Sequence, residues 1–221
     1  MRLSRAGITG ACMDAQRRQI RQAKRDIRKR TEGNLERVRN LVRIYEGINA
    51  GQQGRRAACE TDILRAAVVL LHACLEDFVR TLQYWRLPTA GAVALNEIPM
   101  KGLPRPGKVQ LGDVAQFRGQ SVDDLVRSSV EEHLSRSNYN NCDDITRAMD
   151  AIDVHLDEGL CRRTFPAIEE MIRRRHQIVH RADRNEIGGS GNHRVSSLGR
   201  EKVNEWIEAV ETFAASVISA A

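Results

Sequence analysis

The sequence predicts an all-α fold, a helical bundle of about six helices. Three observations lead there. Aromatic residues make up only 4% of the 221-residue chain while apolar residues reach 41%, so the core must be built from Leu, Val, Ile and Ala. Apolar residues recur at helical spacing through most of the chain, and no competing run alternates with the period of a half-buried strand. Four of the five prolines fall in one stretch, which leaves only Pro166 as a breaker elsewhere.

Residues 13–50 read as one long helix or two stacked pieces. Ile20, Ile27, Leu35, Val38, Leu41, Val42, Tyr45 and Ile48 recur near helical spacing, with Gly33 as the candidate break. Its first part, "RRQIRQAKRDIRKR" (17–30), carries eight basic residues and one acid. Such a run either tracks a nucleic-acid backbone or is a solvated helix face. Residues 1–50 thus form a basic N-terminal helical extension on a single domain spanning 1–221. From Thr61 to Tyr84 the middle of the helix is apolar nearly all round, which predicts the central and most buried helix. Glu76 and Asp77 follow that apolar block.

Residues 86–119 contain Pro88, Pro99, Pro104 and Pro106 with several glycines. This Pro/Gly-rich stretch is expected to be a long irregular excursion between the second and third helices. Ser121 caps the next helix, with Asp123 and Asp124 in its first turn and an end near Ser135. "RSNYNNCDD" is a polar connection to a helix that starts at Asp143 or Asp144, carries Ile145, Met149 and Ile152, and ends at or before Gly159. Pro166 suits the first turn of another helix. Glu169 and Glu170 early and Arg173 to Arg175 late match its dipole. "RNEIGGSGNH" (184–193) reads as a flexible loop, and Ser197 as the cap of a last helix burying Val203, Trp206, Ile207, Val210, Phe213, Val217 and Ile218.

The chain has 35 Lys and Arg against 29 Asp and Glu, a formal charge of +6. A basic, arginine-rich surface attracts polyanions. The five cysteines are odd in number and form no C-x-x-C pair, which argues against a disulfide framework or thiolate zinc site and fits a cytoplasmic protein. The longest apolar block, "AAVVLLHACL", is too short to span a bilayer and already carries His72, so no membrane partner is expected. No Gly-rich phosphate loop or nucleophile elbow is present, and no cofactor is implied.

Chemistry concentrates in "RRRHQIVHRAD" (173–183), with four arginines, two histidines and one aspartate in eleven positions. His176 and His180 are four apart and share a helix face. The zinc-protease form of that spacing needs Glu after the first histidine; Gln177 stands there, and only local chance would make Asp183 a third ligand, so no metal site is expected. Arg175 and His180 are five apart and point about 140° away from each other on an ideal helix. A twofold dimer brings such a pair together by using the same patch twice. The resulting cleft has the parts for metal-free RNA cleavage. Histidine moves the proton of the 2′-OH or of the leaving 5′-oxygen, and arginine stabilises the phosphate. The other reading is a basic helix end whose histidine caps carbonyls.

"RRRHQIVHRAD" resembles the signature of the HEPN (higher eukaryotes and prokaryotes nucleotide-binding) superfamily: Arg, a polar residue, three variable residues, then His, here Arg175, His176 and His180. The polar residue is often Asn and is His here. "HRAD" resembles the RiboL-PSP-HEPN branch. "LRAAVVLLHACLEDFVRTL" (64–82) resembles that branch's early apolar helix and maps its acid onto Glu76. The stretch 121–154 resembles its middle helices, and "VNEWIEAVETF" (203–213) its last helix.

The resemblance implies a homodimeric helical domain with the motif in a shared cleft. Its further implication is a metal-independent endoribonuclease of a prokaryotic defence or toxin–antitoxin system. An alternative is a catalytically silent module that binds RNA or a partner, such as an antitoxin or a larger defence-system subunit. On the first reading Arg175 and His180 are catalytic, and His176 and Glu76 support them. Arg174 and Arg181, with Arg17, Arg18, Arg21, Arg25 and Arg28 of the basic extension, contact RNA.

Overall fold

A computed structural model describes residues 5–48, 58–103, 109–183 and 196–221. The loop expected at 184–193 lies outside these residues. Among the described residues the fold is all-α. Its helices are α1 (Arg5–Ile48), α2 (Ala58–Arg86), α3 (Ala92–Asn96), α4 (Leu111–Ala115), α5 (Val122–Ser135), α6 (Cys142–Asp150), α7 (Glu158–Arg181) and α8 (Arg200–Ala220). That is eight helices, not about six. The difference is α3 and α4, five residues each, inside the stretch expected to be irregular. At the start of α4 the Asp113 carboxylate accepts from Gln110 N at 2.9 Å, a local signal that the proline count obscures.

The core forms where α2 packs against α1, α7 and α8, with α5 and α6 on its remaining side. Leu64, Ala67, Val68, Leu71, Leu75, Phe78, Val79 and Leu82 of α2 are all buried. Phe213 of α8 meets Phe78 edge to face at 6.2 Å and Phe165 of α7 at 5.9 Å. Burying each such large side chain stabilises the fold by about 1.5–3 kcal/mol. α1 and α7 each pack on α2 and α8, and no packing between α1 and α7 is found among the described residues. They occupy opposite corners of a four-helix core.

Long-range polar contacts give the helix directions. Arg200 meets Glu46 at 3.0 Å, Arg39 meets Glu211 at 2.6 Å, and Lys24 donates to the Ser219 carbonyl at 3.2 Å. α1 therefore runs antiparallel to α8. Arg30 holds Asp77 and Arg65 holds Asp183, so α2 runs antiparallel to both α1 and α7. The end of α7 thus shares one end of the bundle with the start of α8, while the first half of α1 lies at the other end.

Several helix boundaries differ from the sequence reading: α1 starts at Arg5, and α6 ends at Asp150 and leaves Ile152 beyond it. Gly33 does not break α1, because Ile27, Leu35, Val38, Val42 and Tyr45 carry a continuous buried face past it. α7 starts upstream of Pro166: the Asp157 carboxylate accepts from Leu160 N at 2.9 Å and sets the start at Glu158. Gly159 therefore lies in the first turn of α7, and Pro166 lies inside the helix on its exposed side. Ser197 is not the cap of α8. Gly199 holds that position without a side-chain bond, and the Ser197 carbonyl accepts from Arg174 instead. Ser121 does cap α5, accepting from Asp124 N at 3.0 Å.

Candidate functional site

α7 positions the motif through its own periodicity. Ile168, Met171 and Ile172 form its buried face, and the next position on that face is Arg175. Arg175 is accordingly half-buried, and its Nε is enclosed without a hydrogen-bond partner. His176 and His180 lie to one side, both exposed, with ring centroids 4.4 Å apart. Val179 is exposed between them, as are Arg173 and Arg181. One chain therefore presents the two histidines outward and Arg175 inward, as expected for a pair five apart.

Beneath Arg175 lies a polar layer supplied by α2 and the α5–α6 connection. His72 is 1% exposed. Its Nε2 is 3.3 Å from the Tyr139 carbonyl, which can only accept, so that nitrogen carries the proton. Its Nδ1 lies 3.8 Å from Glu76 Oε2. Burial pushes the imidazole below its ordinary range; Glu76 raises it and Arg175 lowers it. Glu76 also accepts from Tyr139 N at 3.4 Å. The Tyr139 hydroxyl donates to Gln83 Oε1, and burial first of all pushes this phenol up to about 12. Glu76 and Arg175 are thus electrostatic neighbours of one buried histidine, although 99 positions separate them in sequence (175 − 76).

The end of α7 is fastened by Asp183. The chain leaves the helix through left-handed residues, Ala182 at φ 47° and Asp183 at φ 57°, which turns the carboxylate inward. Asp183 is 1% exposed and accepts from Arg65 Nε at 2.7 Å and Arg174 Nη2 at 2.8 Å. Both arginines also donate to the Ser196 carbonyl, at 3.1 and 2.8 Å. Arg174, expected to contact RNA, is instead spent on this contact, because its direction on the helix points it at the chain entering α8. Asp183 is held away from the histidine pair. Among the described residues no three His, Cys, Asp or Glu side chains are grouped to hold a metal.

The structure does not bring the two sets of predicted arginines together. Arg17, Arg18, Arg21, Arg25 and Arg28 are exposed on the first half of α1, at the opposite end and corner of the bundle from His176 and His180. Sequence reasoning missed His72 and Arg65 as parts of the site, and weighed Asp183 only as a chance third metal ligand. The one available signal was the position of Asp183 just past a helix end, three residues after His180.

The fold and site define an all-α bundle with an arginine- and histidine-rich helix end bolted to its central helix. Comparison with family models, with curated proteins and with solved structures found no match to this chain. Among the described residues no helix is long and apolar enough to cross a membrane.

Proposed function

We propose that the chain is a metal-independent endoribonuclease acting at a composite cleft between two copies of the α7 end. The observation that carries this reading is the pair of exposed histidines 4.4 Å apart at the end of α7. Among the described residues neither makes a hydrogen bond or ion pair. In the cleft His180, with His176 in support, takes the proton from the 2′-OH as its oxygen bonds to phosphorus. The imidazolium so formed, or water, returns a proton to the 5′-oxygen as the phosphorus–oxygen bond breaks. The products are a 2′,3′-cyclic phosphate and a 5′-hydroxyl. Arg175 supplies positive charge to the phosphate, and Glu76 orients the layer beneath it. A role in prokaryotic defence or as a toxin belongs to the same proposal.

A second reading rests on the direction of Arg175. In one chain it faces His72 and not His180, as in a silent module that binds RNA or a protein partner. Labelled structured RNA incubated with excess EDTA separates the two. Cleavage with cyclic-phosphate ends that Arg175→Ala and His180→Ala both abolish supports the enzyme. Binding without cleavage, unaffected by either change, supports the module. Cleavage that both variants retain defeats the proposed site.

A further inference from the structure

The arginines of α1 remain unaccounted for by the α7 site. On a helix of 3.6 residues per turn, Arg17, Arg18, Arg21, Arg25 and Arg28 fall within an arc of about 100°, running along roughly 17 Å of axis. Asp14 and Glu32 stand on the same arc at its two ends, and between them the arc contains no acid. The one acid in that interval, Asp26, lies on another side and accepts from Gln22 at 2.9 Å. All five arginines are exposed, and none pairs with another described residue. Farther along the same helix Arg30, Arg39 and Arg43 are neutralised by Asp77, Glu211 and Glu36, and Arg37 is the one arginine there without an ion pair among the described residues. Uncompensated charge is thus concentrated in the half of α1 that reaches beyond the core.

We propose that this arginine stripe is a binding site of its own for a nucleic-acid phosphate backbone, separate from the α7 end. Its chemistry favours that partner over the others open to a basic helix. A membrane-surface helix needs a broad apolar face, but here Ile27 is buried in the bundle and Ile20 turns toward it. A protein interface draws its affinity from Trp, Tyr and Arg anchors set in packed, desolvated pockets, whereas these arginines are all exposed and no aromatic residue lies among them. Five forked donors in a row suit a line of phosphates.

The site is also remote. Asp77, which pairs with Arg30, is twelve residues along α2 from Arg65 (77 − 65), which pairs with Asp183 beside the motif. Arg175 and the two histidines lie three to eight residues back along α7 from Asp183, toward the stripe. At 1.5 Å per residue, and with the stripe centred about eight residues before Arg30, the two sites are therefore about 20–25 Å apart along the bundle. A stacked strand advancing about 3.4 Å per nucleotide needs about six to seven nucleotides to cover that distance. The stripe therefore holds a segment distant from any segment in the cleft.

The test is binding of a fluorescent 2′-O-methyl RNA, which cannot be cleaved through its 2′-oxygen, and of DNA of the same sequence, across a salt series. In the variant R18Q/R21Q/R25Q the slope of log affinity against log salt falls by about 2–3, since each phosphate contact contributes about 0.7–0.9. Affinity drops at least about tenfold at 0.1 M salt. R18K/R21K/R25K keeps most of the slope, and His176→Ala with His180→Ala leaves it unchanged. Equal loss on both nucleic acids assigns the backbone alone, and loss on RNA alone assigns the ribose as well. An unchanged slope in the glutamine variant overturns the proposal, as does competition by poly-glutamate equal to that of nucleic acid at matched charge. No arm depends on cleavage, so a failure of the ribonuclease reading leaves this result intact.

Discussion

Arg65 reaches 118 residues along the chain to donate from Nε to Asp183 at 2.7 Å, and both side chains are buried. With Arg174 on the same oxygen, this contact joins the start of α2, the end of α7 and the chain entering α8. Removing one partner of a buried ion pair costs about 3–5 kcal/mol, because the remaining charge is left without water or counter-charge. Asp183→Asn leaves two guanidiniums facing a neutral amide. We expect it to lower Tm by about 10 °C, from about 2–4 °C per kcal/mol for a domain of this size. A thermal melt within 2 °C of wild type would show that the bolt contributes nothing net.

His72 makes stability depend on pH. Burial holds its folded pKa below the unfolded value, against the opposing pull of Glu76. As pH falls through about 6.5, the unfolded chain takes up a proton at this site and the folded chain does not. The unfolded state then binds more protons, so stability falls with falling pH from about 6.5 down to the folded pKa and levels off below it. His72→Gln removes this contribution while keeping a donor near the Tyr139 carbonyl. Urea unfolding at pH 7.5 and 5.5 should give a smaller stability difference for the variant than for wild type. An equal difference in both proteins would place the dependence elsewhere.

On the ribonuclease reading, His180→Ala lowers the cleavage rate by about 10²–10⁴, the usual contribution of a general acid or base. A composite site makes a sharper prediction. In a mixture of Arg175→Ala and His180→Ala chains, half the dimers are mixed, and of the two pairs that line the shared cleft each keeps one intact, Arg175 from one copy beside His180 from the other. About a quarter of wild-type activity should return, from the statistics of a twofold dimer. If both residues act from the same chain, the mixture stays inactive.

Ser121 was legible in the sequence because a cap and the N–H it accepts from lie three residues apart. The buried stripes of α2 and α8 were legible for the same reason: Leu64 to Leu82 and Val203 to Ile218 repeat within single helices. The start of α7 was misread because Pro166 is common in first turns, whereas the capping carboxylate of Asp157 lies nine residues upstream. The helix tolerates Pro166 because the carbonyl left unpaired faces water. The inward direction of Arg175 was readable from its register with Ile168 and Ile172, but its charge masked it as a surface residue. The Arg65–Asp183 contact leaves no local pattern at all, since it exists only once α2 and α7 pack.

Gly33 gives the simplest test of how α1 is held. It sits at mid-helix, exposed, and a Cβ placed there would meet nothing within 4 Å. Glycine in a helix costs about 0.5–1 kcal/mol relative to alanine, mostly through the backbone freedom of the unfolded chain. α1 persists through it because Thr31 and Leu35 on either side are buried, so tertiary packing outweighs local propensity. Gly33→Ala should therefore stabilise the protein by about 0.5–1 kcal/mol, read as a higher urea midpoint with an unchanged m-value. Nucleic-acid binding should be unaffected, since residue 33 lies outside the arc of the arginine stripe. A lower midpoint would mean that α1 bends at Gly33 and that the first half of the helix is not held in line with the second.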